Sequence, residues 1–169
     1  MTEGRAWRAV VGSFVFFVAA PGTVAGWVPF RLTHWHMEPP LLGLPASRVA
    51  GGMLVIAGLA SLVESFLRFA LVGLGTPAPL APPARLVISG QYSHVRNPMY
   101  VAVVTLILGQ SLAFGSVVLL RYGVVVWLLF HAFVLLYEEP TLRARFGPAY
   151  ESYRRNVGRW WPRVRPWSG

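Results

Sequence analysis

The chain has 169 residues, 55% of them hydrophobic and 12% charged, with a mean hydropathy of +0.54, too apolar for a soluble domain of this length. It contains no cysteine, which excludes disulfides, thiolate metal sites and thiol nucleophiles. All fifteen basic residues are Arg and the net charge is +9; seven of them follow Glu139, and in so apolar a chain that clustering reads as an orientation signal rather than a nucleic-acid patch.

Four apolar runs, near Ala9–Phe30, Val49–Leu74, Met99–Phe114 and Val117–Tyr137, each approach the roughly 20 residues that a helical membrane crossing needs. The first lacks the short apolar core and small-residue cleavage site of a signal peptide, so it is expected to remain as an anchor, kinked at Pro21-Gly22. Arg31 to Ser47, with His34, His36, Glu38 and several Pro and Gly, reads as a loop. The two histidines lack further ligands nearby, and no metal site is expected. Gly75 to Asn97 is a second loop, stiffened by Pro77, Pro79, Pro82 and Pro83.

The 39 residues from Met99 to Tyr137 are nearly free of charge and fit a hairpin of two crossings turning at Gly115-Ser116. Its ends therefore return to one membrane face, with Arg96-Asn97-Pro98-Met99-Tyr100 beside Glu138-Glu139. Placing the C-terminal tail in the cytoplasm puts twelve Arg inside and leaves Arg31, Arg48 and Arg121 outside, and the excess of positive charge selects this topology, with both termini cytoplasmic. Beyond Pro140, Phe146, Tyr150, Tyr153, Val157 and Trp160-Trp161 recur at helical spacing opposite Arg143, Arg154, Arg155 and Arg159. This predicts an amphipathic helix at the headgroup boundary, anchored by Trp160, Trp161 and Trp167. The fold class is thus all-α: about four transmembrane helices plus an interfacial C-terminal helix. Residues 1–74 form a two-helix anchor and 75–169 the core of one compact unit.

Asn97 suits an N-cap and Pro98 a first helical position, so the third helix offers unpaired N–H groups to an anion, reinforced by His94 and Arg96. Glu138 and Glu139, at the end of the fourth helix, oppose the helix dipole and call for a cation: Arg143, Arg96, or a ligand carrying an ammonium or a ribose diol. Glu64 and Arg68, one turn apart, read as a structural pair, and His131 as a hydrogen-bonded packing residue.

Four motifs, Arg85-Leu86-Val87-Ile88-Ser89-Gly90-Gln91-Tyr92, Arg96-Asn97-Pro98-Met99-Tyr100, Glu138-Glu139 and Phe146-Gly147-Pro148-Ala149-Tyr150-Glu151-Ser152-Tyr153, occur in an order that resembles the isoprenylcysteine carboxyl methyltransferase and phosphatidylethanolamine N-methyltransferase family of membrane enzymes. The resemblance implies S-adenosylmethionine as cofactor, leaving as S-adenosylhomocysteine. It would be held by Arg85, Leu86, Val87 and Tyr92 of the loop, Asn97, Pro98, Met99 and Tyr100 of the third helix, and Glu138, with Glu139 the second member of the acidic pair. Beside this, the residues themselves point to His94 and Glu139 as further cofactor contacts, to Arg96 as the catalytic group that orients an acceptor oxygen or neutralises charge at the cofactor, and to Glu139 in a supporting or proton-accepting catalytic role. The resemblance also implies a lipid-like or amphiphilic acceptor, either an isoprenylcysteine-like carboxylate or a phospholipid amine, and the distribution of Arg puts this chemistry at the cytoplasmic face of the inner membrane. The isoprenylcysteine enzymes hold the acceptor carboxylate with an Arg one turn before the acidic pair, where this chain has Val134. The rivals are a reductase similar to the sterol reductases, which use NADPH, and a membrane scaffold that has kept the fold without the activity. Membrane lipids are expected neighbours, nucleic acid is not, and the sequence leaves the oligomeric state open.

Overall fold

A computed structural model of the protein describes residue 15 and residues 18–73 and 86–168. All regular structure among them is helical, apart from one isolated parallel bridge between Val95 and Gly158. Arg85, the Pro-rich stretch and the start of the expected first crossing lie outside the described residues.

Residues 18–33 form one helix that widens into a π turn at Thr23–Trp27 before α1 (Val28–Thr33). Pro29 explains the widening, because a proline cannot donate to the preceding turn and its ring crowds the carbonyl four residues back. The carbonyls left without a donor are satisfied from neighbouring helices: Gln110 Nε2 donates to Ala25 O at 2.7 Å and the Tyr122 hydroxyl to Val24 O at 2.9 Å. The widened turn follows directly on Pro21-Gly22 and falls where neighbouring side chains can pair the freed carbonyls.

Three helices carry the apolar bulk: α2 (Ala46–Gly73), α3 (Pro98–Phe114), which packs against both of the others, and α4 (Val117–Phe133). Residues 46–68 and 117–146 are the two stretches among the described residues that are long and apolar enough to cross a membrane. The α3–α4 turn is at Gly115, whose φ of +76° closes the end of α3 and whose N–H bonds to Ser111 O; this is the left-handed position that glycine fills without strain. Leu62 and Phe66 of α2, Ala102, Val103, Leu106 and Ile107 of α3 and Val126 of α4 form the core. Val49, Met53, Ile56, Leu67, Leu128 and Leu129 point outward, a distribution suited to lipid rather than water.

Small residues let α2 and α3 approach closely. A Cβ on Gly51 would meet the backbone of Ala113 and lie 2.6 Å from Gly109 O, and one on Gly109 would lie 2.8 Å from Val55 N, as at small-residue interfaces between membrane helices. Gly109→Val is expected to destabilise by about 2 kcal/mol or more through overpacking. Gly52→Val, whose added Cβ meets nothing, should shift the midpoint little in thermal unfolding of the detergent-solubilised protein.

The acidic pair does not end the fourth helix. A π turn, Val134–Glu138, with Glu139 N bonding to Val134 O, carries α4 into α5 (Glu139–Phe146). Pro140 again accounts for the widened turn. Nor does one amphipathic helix reach Trp161. Gly147, at φ +49°, breaks the rod, α6 spans Pro148–Asn156, and Val157–Trp167 runs without a helix. The Trp160 Nε1–H donates to His131 Nδ1 of α4 at 2.9 Å. Trp167 packs against the cluster of Tyr150, Tyr153 and Val157, while Trp161 is 85% exposed.

Candidate active site

The hairpin brings its two polar ends together. At the start of α3, Asn97 occupies the N-cap position and Pro98 the first helical position, but the Asn97 side chain makes no cap bond; its Nδ2 donates to Arg159 O at 3.2 Å. The tail takes the amide away from the helix end, a pairing that local spacing cannot reveal.

The π turn separates the two carboxylates. Glu138 accepts the Tyr100 hydroxyl at 2.7 Å and lines a cavity of about 240 Å³. Glu139 turns to the other side and is almost fully enclosed: Arg96 Nη1 lies 2.9 Å from its Oε1, Arg159 Nε 2.6 Å from the same oxygen, and Arg159 Nη2 3.0 Å from Oε2. Of the expected cations, Arg96 is the partner, whereas Arg143 pairs with Glu151 at 3.0 Å. Arg96 also reaches the Tyr150 hydroxyl at 3.1 Å, and its Nε is buried without a hydrogen-bond partner among the described residues.

The tail straps across the loop that precedes α3. Arg96 N donates to Gly158 O, Arg163 N to His94 O and Trp167 N to Ser93 O, each within 3.0 Å, and His94 Nδ1 lies 2.8 Å from Arg163 O. From α6 the Tyr153 hydroxyl donates to Tyr92 O at 2.6 Å. His94 thus holds the strap rather than lining the cavity. Leu86 packs on the Tyr150–Tyr153 cluster and Val87 is buried; neither lines the cavity. Tyr92, Arg96, Asn97, Pro98, Met99, Tyr100 and Glu138 do line it, with Leu62, Phe66, Val103, Phe130 and Phe133 as apolar walls. Its volume lies just below the range of about 300 to 1,000 Å³ usual for small-molecule sites. Arg159 and Tyr150, absent from the sequence motifs' implied site, complete the charge cluster.

Glu64 and Arg68 form the expected ion pair at 2.7 Å. They sit beside Gly90, at the end of the molecule that also holds the acidic pair and the strap.

Burial pushes the phenols of Tyr92, Tyr150 and Tyr153 above their ordinary value, the Tyr92 shift being reinforced by Glu138. They therefore stay protonated in the folded protein while the unfolded chain ionises near pH 10. Their contribution to stability is complete below that pH and is lost as pH rises above it. Unfolding midpoints followed from pH 7 to pH 11 should be flat in this respect to about pH 9 and fall thereafter.

Two lipid-length helices, outward apolar faces and a cleft joining a guanidinium, a helix start and a carboxylate at one end define a helical membrane protein with a polar site. Residues 46–149 match the family model described as phospholipid methyltransferase, and the chain belongs to that family. No curated protein and no solved structure matches it. The family is one of membrane methyltransferases with lipid-like acceptors.

Proposed function

We propose that the protein transfers a methyl group from S-adenosylmethionine to a lipid-like or amphiphilic acceptor at the cytoplasmic face of the membrane, with four crossings and both termini in the cytoplasm. The observation that carries this reading is the shared lining of one cavity by Arg96, the first turn of α3 and Glu138. A methionine tail bears a carboxylate and an ammonium on one carbon. Arg96, with an unsatisfied buried Nε, and the N–H groups of the α3 start suit the first, and Glu138 suits the second.

When bound, the cofactor supplies an electrophilic methyl group on a sulfonium. Tyr92 and Tyr100 offer aromatic faces that favour such a cation, and the Tyr100–Glu138 hydrogen bond fixes the carboxylate. The apolar walls exclude water and leave the acceptor atom to align with the methyl carbon, and alignment supplies most of the catalysis in a direct displacement. Both oxygens of Glu139 are engaged by arginines, so it suits a supporting role better than accepting a proton. Arg85, Leu86, Val87 and His94 belong to this reading as residues that shape the cofactor loop, with Arg85 outside the described residues.

A thermal-shift comparison tests the reading. S-adenosylhomocysteine should raise the unfolding midpoint of the solubilised protein while NADPH leaves it unchanged; the reverse would support a reductase.

A further inference from the structure

Arg159 lies beyond residues 46–149 that match the family, on the irregular strap, yet it makes the shortest contact to Glu139, 2.6 Å to Oε1, and also reaches Oε2. A guanidinium alone with a carboxylate pairs through two parallel N–H bonds. Here Arg159 holds that arrangement and occupies Oε2, which leaves Arg96 a single contact, from Nη1 to the shared Oε1. Arg96 is thereby kept from full pairing: its side chain is 8% exposed, it lines the cavity, and its Nε is unpaired among the described residues. The Arg159 carbonyl, through Asn97 Nδ2, also ties the strap to the start of α3. Two guanidiniums against one carboxylate leave excess positive charge beside the cavity.

We infer that Arg159 is a positioning residue: by clamping Glu139 from both oxygens it keeps the Arg96 guanidinium turned toward the cavity, available to an anionic group of the ligand. The ligand's identity rests on the methyl-transfer reading, but the clamp itself does not. Without Arg159, Glu139 takes both of its bonds from Arg96 and draws it out of the cavity.

The test uses the full chain in detergent. In calorimetry, Arg159→Gln should weaken S-adenosylhomocysteine binding about tenfold or more, and Arg159→Lys, which keeps the charge without the fork, should fall between the two. Trp160→Phe, which cuts the neighbouring bond to His131, should lower the thermal midpoint and leave that affinity unchanged. Equal weakening by Trp160→Phe, or an affinity for Arg159→Gln within twofold of the parent, would overturn the inference. A cycle of thermal midpoints needs no ligand. Arg96→Gln should cost more in the Arg159→Gln background than in the parent, because there Arg96 has become the sole partner of Glu139. Equal costs in the two backgrounds would refute the clamp even if the unsubstituted protein bound no S-adenosylhomocysteine, a result that would by itself reject only the methyl-transfer reading.

Discussion

Replacing Glu138 by Ala is expected to reduce S-adenosylhomocysteine binding by about thirtyfold to several thousandfold. The substitution removes the carboxylate that lines the cavity and strands the Tyr100 hydroxyl, which bonds to it at 2.7 Å. Truncating one member of a buried, hydrogen-bonded charge pair costs about 2 to 5 kcal/mol of binding, and each 1.4 kcal/mol is about a factor of ten. Tyr100→Phe should cost far less, about tenfold, since the carboxylate remains and loses one donor. Calorimetry on both variants, with unfolding midpoints to show that they are folded, reads the difference. Equal losses would mean that Glu138 acts only as the anchor of Tyr100.

The second large effect is expected at Arg96. Arg96→Ala removes the ion pair to Glu139 and the bond to the Tyr150 hydroxyl together. Breaking a buried pair commonly costs about 3 to 5 kcal/mol of stability because a charge is left alone. Here Glu139 keeps both bonds from Arg159, so the stability loss should sit at or below the lower end, and the protein should still fold. Methyl transfer should fall by at least a hundredfold. Arg96→Lys should recover little of it, because an ammonium on a flexible stem does not reproduce a planar group that spans Glu139, Tyr150 and the cavity. A steady-state rate for Arg96→Lys near that of the unsubstituted chain would show that charge alone is needed.

Much of the architecture can be read in the residues themselves. The nearly uncharged run from Met99 to Tyr137, broken by Gly115-Ser116, specifies the hairpin, because glycine takes without strain the left-handed position that closes the turn observed there. Once the hairpin is in place, its two polar ends, Arg96 to Tyr100 and Glu138-Glu139, come together, although which side chain meets which is not decided by the hairpin. What escapes such reading is set by prolines and by distance along the chain. Pro29 and Pro140 widen the helices ahead of them into π turns, and the second of these turns Glu138 toward Tyr100 and Glu139 toward the two arginines. A period of 3.6 residues carries no sign of that extra residue. The C-terminal helix looks longer in its spacing than it is, because Trp160 and Arg159 continue the pattern although the chain has left the helix at Asn156. Their partners, His131 and Glu139, lie 20 or more residues away, and side-chain pairings at that range leave no local signature. Gly147-Pro148 marks the break between the two short helices, since glycine past a helix end and proline at the start of the next are familiar stops and starts.

The shared cleft also separates the roles of the two carboxylates. Adjacent positions on a regular helix already point about 100° apart, and the π turn sets one carboxylate toward the cavity and the other into a cage of arginines. A cavity-facing acid can hold a cationic group, whereas a caged acid can only organise the cations around it. That division makes Glu138 the residue whose loss should be felt in binding, and Glu139, Arg96 and Arg159 a unit whose members should show non-additive effects.

The most direct measurement supplies the purified protein with membrane lipid extract and an S-adenosylmethionine carrying an isotopically labelled methyl group, and follows the lipid phase by mass spectrometry. The label should appear in an amphiphilic product with the unsubstituted chain and disappear with Glu138→Ala. A folded preparation that leaves every lipid unlabelled, or a Glu138→Ala variant that labels as fast as its parent, would contradict methyl transfer at this cleft.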